Sequence, residues 1–332
     1  MNRQKDRFEP PQKVWDRTHA HRNEQKDPSM PPILFLIFNR PDKTRAVFET
    51  IRQARPARLY IAADGPRSDS EAAICDETRS ILNEVDWPCE VQTLFREQNL
   101  GCGRAVSGAI TWFFEHEPEG IILEDDILVD PDFFEFAAEM LERYRDDPRV
   151  TSISAFNRLN DDLPSADSYF FSAFWGAWGW ATWRRAWAHY DFDLSDLGTP
   201  ASIEAISNMC PTPGGLQHWM AVYSNVKDGK IDTWDYQWQF AQWMNSGLTV
   251  IPGKNMVQNI GFDGSATHTT NPDAKEASLR AQPLPRPLAH PDDVIRSAEM
   301  DDYAARNILK IKPIRFTKRF KKWLRGDVLA WK

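Results

Sequence analysis

The sequence predicts an α/β fold, a mostly parallel sheet flanked by helices with its ligands gathered at one rim. Three observations carry this. Short continuous apolar runs such as Ile33–Phe38 and Gly120–Leu123 have strand length and no polar alternation, as strands buried on both faces do. Helical patterns of ten or more residues separate them, which calls for parallel strands joined by crossovers. Acidic residues fall just after strand ends, at Asp64 and at Glu124–Asp126, where an open α/β sheet collects ligands.

The elements follow in order. Met1–Pro32 is polar, charged and Pro-containing, and is expected to be a disordered leader over 1–31. After the strand at Ile33–Phe38, Pro41 opens a helix whose apolar face is Val47, Phe48 and Ile51. Leu59–Ala63 is a second buried strand, closed by the turn signal Asp64-Gly65-Pro66. A helix around Glu71–Glu84, a strand at Glu90–Phe95 and a helix at Arg104–His116 follow. After the strand at Gly120–Leu123, Pro131 starts a helix to about Arg145, with Asp130 as its cap, and Val150–Ala155 is one more strand.

From about Asn157 the alternation fades. The Trp-rich stretch Phe170–Tyr190 contains Trp180, Trp183 and Trp187 at helical spacing, so some of these rings are expected to be core. A turn at Pro211–Gly215, helices at Leu216–Asp228 and Asp235–Asn245, and a short strand at Leu248–Ile251 complete the domain. Residues 271–308 read as a loop-rich linker, and 309–332 as a basic amphipathic tail forming a C-terminal helical extension.

Composition limits the function. A formal charge of −8 over 332 residues argues against a nucleic-acid partner, which would show a basic face. The tail departs from that balance, with nine Lys and Arg against the single acid Asp327. Phe316, Phe320, Trp323 and Leu324 lie at i, i+4, i+7 and i+8 within it, the pattern of a helix that rests on an anionic membrane surface; a solvated helix docked on the acidic body is the competing reading. The four cysteines show no CxxC pair, and no apolar run approaches the ~18 residues of a spanning helix. A cytoplasmic protein, peripheral at the inner face of the membrane through 309–332, is the expectation. The 14 Trp are either a large aromatic core or a sugar-binding surface, since an indole face stacks on a pyranose.

The strongest local signal is Glu124-Asp125-Asp126 at the end of a hydrophobic strand. Adjacent carboxylates there need a cation or water, and hard oxygen ligands suit Mn²⁺ or Mg²⁺ shared with substrate phosphates. The run from Glu124 to Phe136 resembles the acidic motif and following helix of the N-acetylglucosaminyltransferase I family, and the chain is similar to bacterial GT-A-fold, Rossmann-like nucleotide-diphospho-sugar transferases. The resemblance covers about Pro32 to His268. It implies a single GT-A domain over 32–270, with a nucleotide-binding half at 32–156 and an acceptor-binding half at 157–270.

The same resemblance assigns roles. Asp126 would be the metal ligand, with Glu124 and Asp125 on the donor. Arg40, after the first strand, would lie near the nucleotide, and Asp64 would accept from the uracil ring, although Asp-Gly is also an ordinary turn. Asn99–Arg104 lacks the spacing of a phosphate loop; close backbone packing is the better reading, with Arg104 a lesser donor contact. The Gly-Trp segment would make Trp178 and Trp180 a wall for donor sugar or acceptor, with Trp183 and Trp187 left to the core. Asp235, between Trp234 and Tyr236 at a helix start, is the candidate general base, because aromatic neighbours would raise a carboxylate's basicity. The family carries two acids after its Trp; here Tyr236 stands in the second place, and Asp263 is held in reserve. His268, in the loop starting at Asn259, would approach phosphate or metal.

The implied activity is transfer of a sugar from a UDP-sugar to a hydroxyl of a glycan or glycolipid acceptor, metal-dependent and inverting, in surface polysaccharide or glycolipid assembly. A sugar nucleotidyltransferase and a non-catalytic carbohydrate-binding protein are the alternatives.

Overall fold

The structure is a computed structural model that describes residues 30–159, 167–262 and 275–313. Its first strand, β1 (Ile33–Ile37), is buried along its whole length. Helix α1 (Pro41–Ala54) begins on proline and buries Thr44, Val47, Phe48 and Ile51. It stops where Arg55 turns left-handed, at φ 50°, and returns its N–H to Ile51. There follow β2 (Arg58–Ala63), α2 (Asp69–Arg79) with a tighter turn over Ser80–Glu84, β3 (Glu90–Phe95) and α3 (Gly101–His116). Next come β4 (Glu119–Glu124), the short β5 (Ile127–Val129), α4 (Asp132–Arg143) and β6 (Val150–Ser154). The later part contains β7 (Tyr169–Ser172), β8 (Trp180–Trp183), α5 (Arg184–Trp187), α6 (Pro200–Met209), α7 (Gly215–Lys227), α8 (Asp235–Met244), β9 (Leu248–Pro252), β10 (Val257–Asn259) and α9 (Ala298–Tyr303).

The main sheet has the order β3-β2-β1-β4-β8-β6-β9-β7. β3, β2, β1 and β4 are parallel, in the Rossmann order 3-2-1-4. β8 runs against both of its neighbours, so β6 and β9 regain the direction of the first four, and only the edge strand β7 again opposes it. The sheet is thus mostly parallel and flanked by helices, the fold class predicted from the sequence. Alternate residues of β1 explain why its apolar run is unbroken. Ile33, Phe35 and Ile37 enter one core, with Phe48 and Phe136; Leu34 and Leu36 enter the other, with Tyr60, Phe113 and Trp180. Both faces are covered, so no position on the strand faces water.

A second, two-stranded sheet pairs β5 with β10 antiparallel, immediately beyond the β4 carboxylates. The predicted cap of the helix after Pro131 is present: Asp130 accepts from the Asp132 N–H at 3.0 Å and leaves Glu124–Asp126 uninvolved.

The helical reading of Trp180, Trp183 and Trp187 needs correction. Trp180–Trp183 is strand β8, and the helical turn begins only at Arg184. Inserted between β4 and β6, β8 sends Trp180 to one core and Ala181 and Trp183 to the other. A doubly buried strand needs large side chains on both faces, and their spacing mimics a helix. Residues expected to be loop after 271 are mostly irregular where described, yet they pack closely on the sheet. Leu279, Leu284 and Leu288 are buried, and Asp301 binds Ser172 and the Ala173 N–H. The leader up to Ser29 and the amphipathic pattern at Phe316–Leu324 lie outside the described residues. Among the described residues no helix is long and apolar enough to cross a membrane.

Candidate active site

A cavity of about 620 Å³ opens at the carboxyl ends of β1, β2 and β4, a volume suited to one nucleotide-sized ligand. Its walls bring together four stretches singled out in the sequence: Asn39-Arg40, Asp64, Glu124–Asp126 and Asp235. Trp178 and Asn259 also line it. Parallel strands end on one rim, so residues far apart in the chain converge without any local signal for it.

At the end of β4, Asp125 and Asp126 are 3% and 7% exposed. Both bind Arg40. Its Nε and Nη2 fork onto the two oxygens of Asp125, the first at 3.3 Å, and its Nη1 donates to Asp126 Oδ2 at 2.9 Å. Burial works against the Arg40 charge, but the two aspartates outweigh it and hold the guanidinium firmly protonated. Burial also pushes the Glu124 carboxyl up, to about 8, with Asp126 and Asp125 adding repulsion. Asp125 is raised by burial to about 6, although Arg40 opposes the shift. Asp125 and Asp126 thus share one guanidinium, with Glu124 held toward its neutral form beside them.

Arg40 lines the cavity, and its guanidinium engages the acids themselves. The loop after β10 closes over the same group. Ile260 N–H donates to Asp126 O at 2.8 Å, and Gly261 N–H to Asn259 Oδ1 at 2.6 Å. A Cβ on Gly261 would stand 2.3 Å from Asp126 Oδ2, so only glycine fits beside that carboxylate. The donor set is hard oxygen, suited to Mg²⁺ or Mn²⁺. Among the described residues, however, no group of three or more His, Cys, Asp or Glu is arranged to hold a metal. A cation could be held there through one or two carboxylates only, with other oxygen ligands completing its shell.

Asp64 reaches the cavity but has other work. Its carboxylate accepts from the N–H groups of Leu100 and Gly101 at 3.0 and 3.1 Å, at the start of α3. Asp232 accepts from the next two, Cys102 and Gly103, at 3.0 and 2.9 Å. All four N-terminal amides of α3 thus meet carboxylates of the chain itself. The Gly-rich entry is a packing device: a Cβ on Gly103 would meet Asp232 and the Thr233 carbonyl at 2.7 Å. Arg104 points elsewhere, its guanidinium 4.3 Å from the Phe192 ring centre and 3.8 Å from Asp193, and it does not line the cavity. Cys102 does line it, and burial, then Glu124 and the aspartates, push its thiol far up, which disfavours the thiolate.

Asp235 is the first residue of α8 and faces the cavity. The Thr233 hydroxyl and the Tyr236 N–H both donate to its Oδ1. Trp178 is partly buried, stacked on Phe156 at 4.4 Å, and lines the cavity as expected of a wall. Trp180 does not. It is 1% exposed, packed against Trp175 at 5.0 Å and Trp234 at 5.6 Å in a cluster that also includes Trp187 and Trp238. Its proposed contact with sugar is thereby corrected, and the tryptophans of this cluster are core. Asp263 and His268 lie outside the described residues.

Sequence reasoning missed Asp232, Thr233 and the Asn259–Gly261 closure. The glycines at 101 and 103 were the available signal for Asp232, since each marks a close approach by something. What approaches them is a carboxylate 130 residues away in the chain.

No protein-family model matches the chain, and no curated protein matches its sequence. Solved structures with some likeness include S. aureus TarS 1-349, at 7% identity, covering 69% of this chain and 59% of that one, with a TM-score of 0.39. The inositol-1-phosphate CTP transferase from T. maritima has 9% identity, covers 72% and 93%, and has a TM-score of 0.38. The glycosyltransferase GlyE in Streptococcus pneumoniae TIGR4 has 6% identity, covers 67% and 45%, and has a TM-score of 0.34. At such values these likenesses say nothing of this chain's substrate or mechanism. The specific similarity to N-acetylglucosaminyltransferase I finds no support among them.

Proposed function

We propose that this protein is a glycosyltransferase that moves a sugar from a nucleotide-diphosphate donor, a UDP-sugar, to a hydroxyl of a glycan or glycolipid acceptor. The observation that carries the reading is the acidic trio Glu124, Asp125 and Asp126 at the parallel rim, the two aspartates buried, facing a nucleotide-sized cavity with Arg40 as their cation. Asp126 would hold a Mn²⁺ or Mg²⁺ ion together with the donor's phosphates. When bound, that ion neutralises the charge that develops on a leaving diphosphate. Glu124 and Asp125 would accept from donor hydroxyls, which fixes the sugar's orientation. Trp178 offers an apolar face for a sugar ring.

Asp235 would take the proton from the attacking acceptor hydroxyl, an inverting displacement. Its Oδ1 already receives two hydrogen bonds, so Oδ2 is the oxygen turned to that task. The small antiparallel sheet carries Asn259 and Gly261 against Asp126 and so steadies the carboxylate.

Two observations favour this over the alternatives. A nucleotidyltransferase needs free amides or cations for a triphosphate, and the α3 amides here are occupied by Asp64 and Asp232. A carbohydrate-binding module needs an exposed aromatic platform, and Trp175, Trp180, Trp234 and Trp238 are buried. The test is a thermal-shift series with UDP, GDP and CDP and their sugars, with and without Mn²⁺. Stabilisation by one nucleotide that depends on Mn²⁺ and is lost in Asp126→Asn is expected. No nucleotide response in either condition rejects the donor site.

A further inference from the structure

We infer that Arg40 is a resident counter-ion that bars a divalent cation from Asp126 until a diphosphate arrives to draw the guanidinium away, so that metal and nucleotide load together. The inference rests on the donor-binding reading above and adds an order to it.

The geometry is specific. Arg40 spends all three of its guanidinium nitrogens on two adjacent carboxylates, with Nε and Nη2 on Asp125 and Nη1 on Asp126 Oδ2. Its side chain is 19% exposed, and those of Asp125 and Asp126 are 5% and 10% exposed, so the bonds are made largely out of water. In such surroundings a cation cannot be removed from the pair without a replacement. The Oδ2 atom that Arg40 occupies is also the atom against which Gly261 packs. At that oxygen a metal ion approaching from the cavity therefore meets a guanidinium on one side and backbone on the other.

A free divalent ion gains little there, because it must displace a fixed positive charge and then sit beside it. A nucleoside diphosphate changes the balance. Its oxygens suit a planar, forked guanidinium as well as a carboxylate does. Arg40 has room to turn to them, because it lines the same cavity from the loop between β1 and α1. Asp126 would then be free to hold a cation in its place. The two ligands should show strong positive linkage, each tightening the other by the same factor.

The probe is Mn²⁺ itself, followed by electron paramagnetic resonance of the free ion, with and without UDP, on the wild type, Arg40→Gln and Arg40→Lys. The wild type is expected to bind Mn²⁺ weakly alone and at least about tenfold more tightly with UDP. Arg40→Gln should bind Mn²⁺ alone at least about tenfold more tightly than the wild type, and UDP should add little. Arg40→Lys keeps the charge without the fork and should fall between. Should Arg40→Gln fold poorly, Mn²⁺ alone ought to raise its melting temperature by more than it raises that of the wild type.

If Arg40→Gln and the wild type bind Mn²⁺ alone equally, while the wild type still binds Mn²⁺ with UDP, the counter-ion role is overturned and the donor site stands. If no protein binds Mn²⁺ even with UDP, the donor reading falls and this inference with it.

Discussion

Asp232 lines the cavity at the start of α3, and its removal can be worked through. Its two oxygens accept from Cys102 and Gly103 at 3.0 and 2.9 Å and complete the cap of α3 begun by Asp64. Loss of a carboxylate cap costs about 0.5–2 kcal/mol. Asp232 is exposed, which screens its charge, but it serves two amides, so about 1.5 kcal/mol is expected for Asp232→Ala. For a chain of 332 residues each kcal/mol shifts Tm by roughly 1.5 °C, so Tm should fall by about 2 °C. Asp232→Asn keeps one good acceptor and should lose about half as much. The freed amides of α3 would form an anion site, so inorganic phosphate at 50–100 mM (on the order of typical weak anion affinities) should recover stability in Asp232→Ala and not in the wild type. Calorimetry with and without phosphate reads both effects. A Tm unchanged within about 1 °C, or a phosphate response equal in both proteins, would refute the claim that this carboxylate closes an anion site.

Three further outcomes are expected. Asp235→Asn should abolish sugar transfer while Mn²⁺-dependent UDP affinity stays within about twofold, as a base acting after donor binding requires; retained turnover removes Asp235 from the chemistry. The carboxyls of Glu124 and Asp125 are raised by burial, to about 8 and about 6, so the folded state holds their protons more tightly than the unfolded state. Relative to Glu124→Gln, the metal-free wild type should therefore lose stability as pH climbs from about 4.5 to about 8, and parallel Tm curves across that window would contradict the burial argument. The full chain should float with anionic liposomes at low salt and a chain ending at Leu309 should not; identical flotation rules out the basic tail as a membrane contact.

Apart from the short β5, the order of elements through β6 could be read from the sequence because buried parallel strands and their helices carry local signals. Ile33–Ile37, Leu59–Ala63 and the helix opened by Pro41 each announce themselves by apolar continuity or a start residue. The carboxylates after β4 stood out for the same reason, since charge directly after a buried strand needs an explanation. β8 could not be read that way. Its residues are large on both faces because β4 and β6 enclose it, and that enclosure exists only after folding. Trp178 and Trp180, two residues apart, have opposite fates, one on the cavity wall and one in the core, and nothing local separates them.

By itself the sequence determined an α/β chain whose parallel strands deliver Asp64 and Glu124–Asp126 to one rim, because strand and helix periods are written in neighbouring residues. Only the tertiary structure decided what each charged group meets. Arg40 finds Asp125 and Asp126 across 85 and 86 residues, and Asp232 finds the α3 amides across 130 and 129. Electrostatic partnership depends on distance in space and on the loss of water around both partners, and neither quantity exists until the chain has closed on itself.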